Sequence, residues 1–175
     1  IEEKLNEYAI DVAGAVKWVI AAIHLEPDEK VDKAVSLHQQ RELIPISVRN
    51  LIEEKLEGQY RFIVFHSSFE TILLVAIDKD NTQTGLIALL GDICKETKKI
   101  LEVSVTIGVG ESCSSQTDWS RPFHTALNAL GYRAITGSGG VICIGDMEPS
   151  GHEKLRFDSR MESELIAAVK FGPCL

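Results

Sequence analysis

Apolar positions change their period along the chain, and the changes mark out elements. Leu5, Tyr8, Ala9 and Val12 recur at helical spacing and predict an amphipathic helix over residues 1–14. Val16 to Leu25 (VKWVIAAIHL) reads as a strand that Pro27-Asp28 ends. Residues 28–43 are polar and predict a loop turning into helix. Ile44, Val48, Leu51, Ile52 and Leu56 then predict a helix with Pro45 in its first turn and Gly58 at its cap. Two apolar runs, 60–66 and 70–78, form a predicted strand hairpin around His66-Ser67-Ser68-Phe69-Glu70.

Asp78-Lys79-Asp80-Asn81 is a turn and a helix start. Leu86, Ile87, Leu90, Ile93, Ile100 and Leu101 extend that helix over about five turns. VSVTIGVG (103–110) is a β-branched strand and residues 111–120 are a loop. Pro122 opens a helix striped by Phe123, Ala126, Leu127, Leu130 and Ala134, which Gly137 stops. VICIG (141–145) is a short strand, and Pro149 to His152 is a break rich in turn residues. Asp158 or Ser159 caps a last helix through Met161, Leu165, Ile166 and Val169. Behind the first helix the order is β-α-β-β-α-β-α-β-α. Its β-α-β-β-α-β heart predicts an α+β, ferredoxin-like fold, with helices on one face of a mostly antiparallel sheet.

Composition narrows the function classes. The chain has 175 residues, 45% apolar and 25% charged, enough for one domain with a sizeable core. A formal net charge of −8 disfavours a nucleic-acid footprint within this segment. No apolar run approaches the ~20 residues of a membrane span, and the acidic first dozen residues do not form a signal peptide. The four cysteines are widely spaced without a Cys-x-x-Cys pair, as expected of reduced thiols in a cytoplasmic protein. The first residue, Ile1, and the final Gly-Pro-Cys-Leu look like cuts from a longer polypeptide.

The hairpin turn holds the most concentrated chemistry. It has no Gly, Asn or Asp, and carries a histidine, two serines and a carboxylate instead. The element order, the hairpin between two core helices, Thr106-Ile107-Gly108-Val109-Gly110 at a strand end and Ala126-Leu127-Asn128-Ala129-Leu130-Gly131 on the next helix resemble the GGDEF, or diguanylate cyclase, fold. Residues 103–142 more narrowly resemble the degenerate GGDEF-like central domain of YesN-type response regulators of the AraC family. The likeness runs from about residue 16 to 170. Related middle domains occur in PucR- and CdaR-type regulators.

The resemblance implies where a catalytic site would lie. Cyclases join two nucleoside triphosphates with divalent metals held by carboxylates from the end of the first strand and from the hairpin tip. Here the strand end is His24-Leu25-Glu26, where the family has an Asp-x-Asp-like segment. At the tip Ser67 and Ser68 fall near the second glycine and the acid, and Phe69 takes the other acidic position. Sliding the register by one residue moves Glu70 into an acidic slot but turns every side chain over. The Arg-x-x-Asp inhibitory site of active members is missing. No catalytic activity, cofactor or metal is therefore expected. His24, Glu26, His66, Ser67, Ser68 and Glu70 form the candidate vestigial ligand pocket, on one edge of the sheet.

Other groupings read as structure. Ser112-Cys113-Ser114-Ser115 lacks a base and an orienting group at readable spacing, so it is taken as a polar loop. Gly108-x-Gly110 lacks a third glycine and a Walker lysine, and is taken as strand-end geometry. His124 is expected to be partly exposed, and Trp18 and Trp119 to be packing anchors.

The resemblance implies a bacterial two-component role in transcription regulation. Residues 15–157 would be a degenerate GGDEF-like domain, 1–14 a connecting helix and 158–175 a helix leading towards a further domain. The expected function is a non-catalytic dimerisation module, relaying signal between a receiver domain and a helix-turn-helix DNA-binding domain of the same polypeptide. DNA would be met only through that last domain, and a homodimer is the expected state. The alternatives are a small-ligand sensor built on the vestigial pocket and a divergent nucleotide cyclase.

Overall fold

The computed structural model describes residues 17–27, 37–66, 70–114 and 119–147. The predicted first and last helices, at 1–14 and from 158 onward, lie outside these residues, as do Ser67, Ser68 and Phe69. Strands β1 (Lys17–Pro27), β2 (Arg61–His66), β3 (Thr71–Ile77), β4 (Val103–Val109) and β5 (Val141–Cys143) form one sheet in the order β2-β3-β1-β4-β5. β1 is antiparallel to both β3 and β4, β2 is antiparallel to β3, and β5 adds parallel to β4. The first four strands have the alternating directions of a ferredoxin-like sheet. With its helices the domain is the expected α+β fold.

Alternation along β1 sends apolar side chains to both faces. Val19, Ala21 and Ile23 join a core with Leu73, Val75, Ile77, Val105, Ile107 and Val109. Helices α1 (Leu37–Leu56) and α2 (Gln83–Leu101) cover that face with Val48, Ile52, Leu56, Leu86, Leu90 and Ile93. Trp18, Ile20 and Ala22 point the other way, with Ile72, Leu74 and Ala76. Helix α3 (Ser120–Gly131) packs there against β1 and β4 through Ala126 and Leu130. Helices therefore cover both faces of the sheet, not one. A strand apolar on both sides needs a cover on both, which the third helix supplies for β1 and β4.

Several boundaries differ from the sequence reading. α1 begins at Leu37, so Pro45 sits inside the helix rather than in its first turn. Lacking an N–H, Pro45 leaves the carbonyl of Arg41 without its usual helical donor. The hydrophobic stripe starts only at Ile44, which hid the polar first turns. α2 starts at Gln83, with the Thr82 hydroxyl accepting from the Gly85 N–H at 3.0 Å. The predicted helix through Ala134 is split: α3 ends at Gly131, and a single turn α4 (Arg133–Thr136) follows. β5 stops at Cys143, and Ile144–Met147 forms a further turn, α5.

Gly108 and Gly110 are explained by the seating of α3. A Cβ on Gly108 would run into the Leu130 backbone nitrogen and lie 2.5 Å from the Ala126 carbonyl oxygen. One on Gly110 would meet the Pro122 carbonyl oxygen. The glycine pair lets a helix backbone rest directly on a strand, so its purpose is close packing rather than strand-end geometry. Gly91, inside α2, has nothing within 4 Å of the same added atom. Gly108→Ala should therefore cost about 3 kcal/mol of unfolding free energy by overpacking. Gly91→Ala should instead gain about 0.5–1 kcal/mol through helix propensity and unfolded-state entropy. Urea unfolding of both variants checks the pair; equal effects would remove the packing argument.

Candidate functional site at the β1 end and the hairpin base

The register sets the site. Ile23 pairs with Thr71, so the C-terminal end of β1 lies beside the base of the hairpin tip. On the other side His24 pairs with Thr106 and Glu26 with Ser104. His24 and Glu26 continue the Trp18-Ile20-Ala22 alternation onto the α3 face. Glu70 lies on the same face, two residues before Ile72.

Three candidate residues meet there. His24 Nδ1 lies 3.0 and 3.1 Å from the two Glu70 carboxylate oxygens. An ionised carboxylate only accepts, so Nδ1 carries the proton in this bond. His24 Nε2 stands 3.7 Å from a Glu26 oxygen. The same Glu26 oxygen lies 3.4 Å from Arg133 Nε, and Arg133 also donates to the Leu130 carbonyl at 3.2 Å. An imidazole thus stands between two half-buried carboxylates, with a guanidinium behind one of them. These contacts are partly exposed, and each contributes about 1 kcal/mol or less to stability.

His66 does not join them. It pairs with Thr71 on the α1/α2 side of the sheet, and its Nδ1 shares a 2.9 Å hydrogen bond with the Thr71 hydroxyl. The even spacing that puts Glu70 beside His24 turns His66 to the opposite face. Ser67 and Ser68 lie outside the described residues. Arg133 and Thr106 were missed in the sequence. Thr106 accepts from the Gly139 N–H at 2.9 Å and holds the glycine-rich loop 137–140 beside the site. Arg133 carried a weak signal: it follows Gly131, the point where the helix ends and the chain returns across the strand ends.

Among the described residues no group of three or more His, Cys, Asp or Glu is arranged to hold a metal ion. No described helix is long and apolar enough to cross a membrane. The loop at Cys113 bonds through its backbone to Trp18, with N–H to carbonyl distances of 2.7 and 2.9 Å. His124 is exposed, its ring edge-on to Phe123. Burial pushes the Cys94 thiol up to about 12. Burial, and then the charge of Asp146, raises Cys143. Neither is a ready nucleophile.

The sequence matches the GGDEF-like domain family over residues 1–132, and the chain belongs to that family. No curated protein matches it. Among solved structures it is similar to the coiled coil and GGDEF domain of DgcB from Caulobacter crescentus in complex with c-di-GMP. That match has 10% identity, covers 81% of this chain and 73% of that one, and has a TM-score of 0.57. Diguanylate cyclase SiaD from Pseudomonas aeruginosa, in complex with its activator SiaC, matches at 13% identity, over 81% of this chain and 54% of that one, with a TM-score of 0.58. The active GGEEF domain of a Vibrio cholerae diguanylate cyclase matches at 8% identity, over 82% and 88%, with a TM-score of 0.52. At these identities the likeness establishes the fold.

The Cys94 thiol gives a pH prediction. In the unfolded chain it ionises from about pH 8.5, while in the fold it keeps its proton to about 12. The folded state then binds more protons, so stability falls as pH rises through this window, by up to about 1.4 kcal/mol per pH unit. Cys94→Val lacks this loss. Its deficit against the wild type should shrink between about pH 8 and pH 10.5 in urea unfolding. A constant deficit would mean the thiol ionises equally in both states.

Proposed function

We propose that this GGDEF-like domain is a non-catalytic signalling module. The observation that supports it most is the pairing of Glu70 with His24, and of Glu26 with Arg133. The family resemblance puts metal-binding carboxylates at these two places, the strand end and the hairpin. Here one of those places holds an imidazole, and the two carboxylates present already face cationic or hydrogen-bonding partners. Two divalent cations between nucleotide phosphates need oxygen ligands free to coordinate them.

The more specific reading is a central module of a YesN-type regulator, relaying signal between a receiver domain and an AraC-type helix-turn-helix domain. Its support is the likeness of residues 103–142 described above. A reading frame with a receiver before residue 1 and a helix-turn-helix after residue 175 agrees with it; other neighbours reject it.

Two measurements test the module itself. The purified chain, incubated with GTP and magnesium or manganese, should form no cyclic dinucleotide above a no-enzyme control. Turnover would make it a divergent cyclase. Sedimentation of the chain with and without residues 1–14 should show a concentration-dependent dimer only when they are present. A monomer in both would remove the dimerisation role.

A further inference from the structure

The outward face of α2 carries a cavity of about 320 Å³ towards the C-terminal end of the helix, lined by Asp92, Lys95, Glu96, Lys99 and Ile100. Ile100 is a large aliphatic residue, yet it stays 62% exposed. The charges around it do not balance. Lys95 holds Asp92 at 3.0 Å, and Lys55 of α1 holds Glu96 at 2.7 Å. Lys99 has no ion-pair partner among the described residues. The cavity is thus apolar at Ile100 and has one cation in excess, in a chain whose formal net charge is −8.

The segment 1–14 has the complementary character. It carries Glu2, Glu3, Glu7 and Asp11 against Lys4, and its apolar residues Leu5, Tyr8, Ala9 and Val12 recur at helical spacing. The strand order decides which copy of the segment suits the cavity. α2 ends at Leu101, and Val103, which follows it, pairs with Pro27 at the C-terminal end of β1. Ile100 therefore lies by that end, whereas the segment 1–14 leads into Lys17 at the other, ten residues and about 30 Å away. Val12 can stand at most about 18 Å from Lys17, and a helical Leu5 about 10 Å further. The stripe barely spans to the cavity of its own chain. A second copy in antiparallel arrangement brings its own cavity close to it.

We propose that the α2 cavity receives the segment 1–14 of a second copy, so that two copies exchange these segments about a two-fold axis. The inference rests on the dimerising role proposed above and names the surface that serves it. The apolar residues of the segment cover Ile100, and its carboxylates offset Lys99. A two-fold axis makes the exchange reciprocal, so each dimer contains the contact twice.

Sedimentation of the full chain and of three variants tests the surface. Ile100→Glu sets a like charge against the acidic segment at an exposed position. It should raise the dimer dissociation constant about 100-fold, about tenfold at each of the two equivalent contacts. Lys99→Glu should act in the same direction. Lys79→Glu, the same change of charge in the exposed turn before α2, should have no effect. Photo-crosslinking locates the contact directly. Ile100→p-benzoylphenylalanine should link, on illumination, to a peptide from residues 1–14. In a mixture of 14N- and 15N-labelled chains, that product should join light chains to heavy ones. A dimer that needs residues 1–14 but is unchanged by Ile100→Glu overturns the docking surface and leaves the dimerising role standing. Links formed only within one chain overturn the exchange. A wild-type chain that stays monomeric at high concentration overturns both the surface and the role.

Discussion

β1 is the constraint on which the rest of the domain depends. It is hydrogen-bonded along both edges and apolar on both faces, so no neighbour can move independently of it. Its two partners fix the register of the hairpin and of β4. Its two faces fix where α1, α2 and α3 settle. The last residues of the strand, where the apolar alternation gives way to His24 and Glu26, are therefore carried to a defined place beside Glu70. The polar cluster follows from strand pairing, with little help from its own weak ion pairs.

Much of this was legible because apolar period and element type agree. The hairpin, β4 and α2 fall within a few residues of their predicted bounds, each marked by a strong pattern between turn residues. Failures came where the pattern was silent. The polar start of α1 gave no stripe, so Pro45 looked like a beginning and proved to be internal. The number of covered faces was not written in any one segment. It follows from β1 being apolar at both odd and even positions, as VKWVIAAIHL is. The Gly108 and Gly110 pair was read as a strand-end habit, and only the position of α3 reveals a helix backbone lying against it.

The candidate site was half legible. His24, Glu26 and Glu70 come together as the pairing order requires. His66 belongs to the hairpin tip expected on the same sheet edge, and parity along β2 sends it to the far face. Arg133 could not be placed from sequence, since it reaches Glu26 only after a helix end and a short turn. A divalent cation gathers several carboxylates by strong, undirected attraction, whereas an imidazole engages them through two fixed ring nitrogens. Solved GGDEF structures share this fold at 8 to 13% identity, so the scaffold tolerates wide change in sequence.

The hairpin is fastened at both ends of its ladder, by Arg61 against Asp78 at one and by His66 with Thr71 at the other. A chain that closes its sheet before the turn begins can exchange the turn's residues without reopening the fold. That is a form of modularity finer than a domain: a few residues of chemistry carried on a stem that does not depend on them. A lineage built on such a stem can lose an activity and keep its architecture.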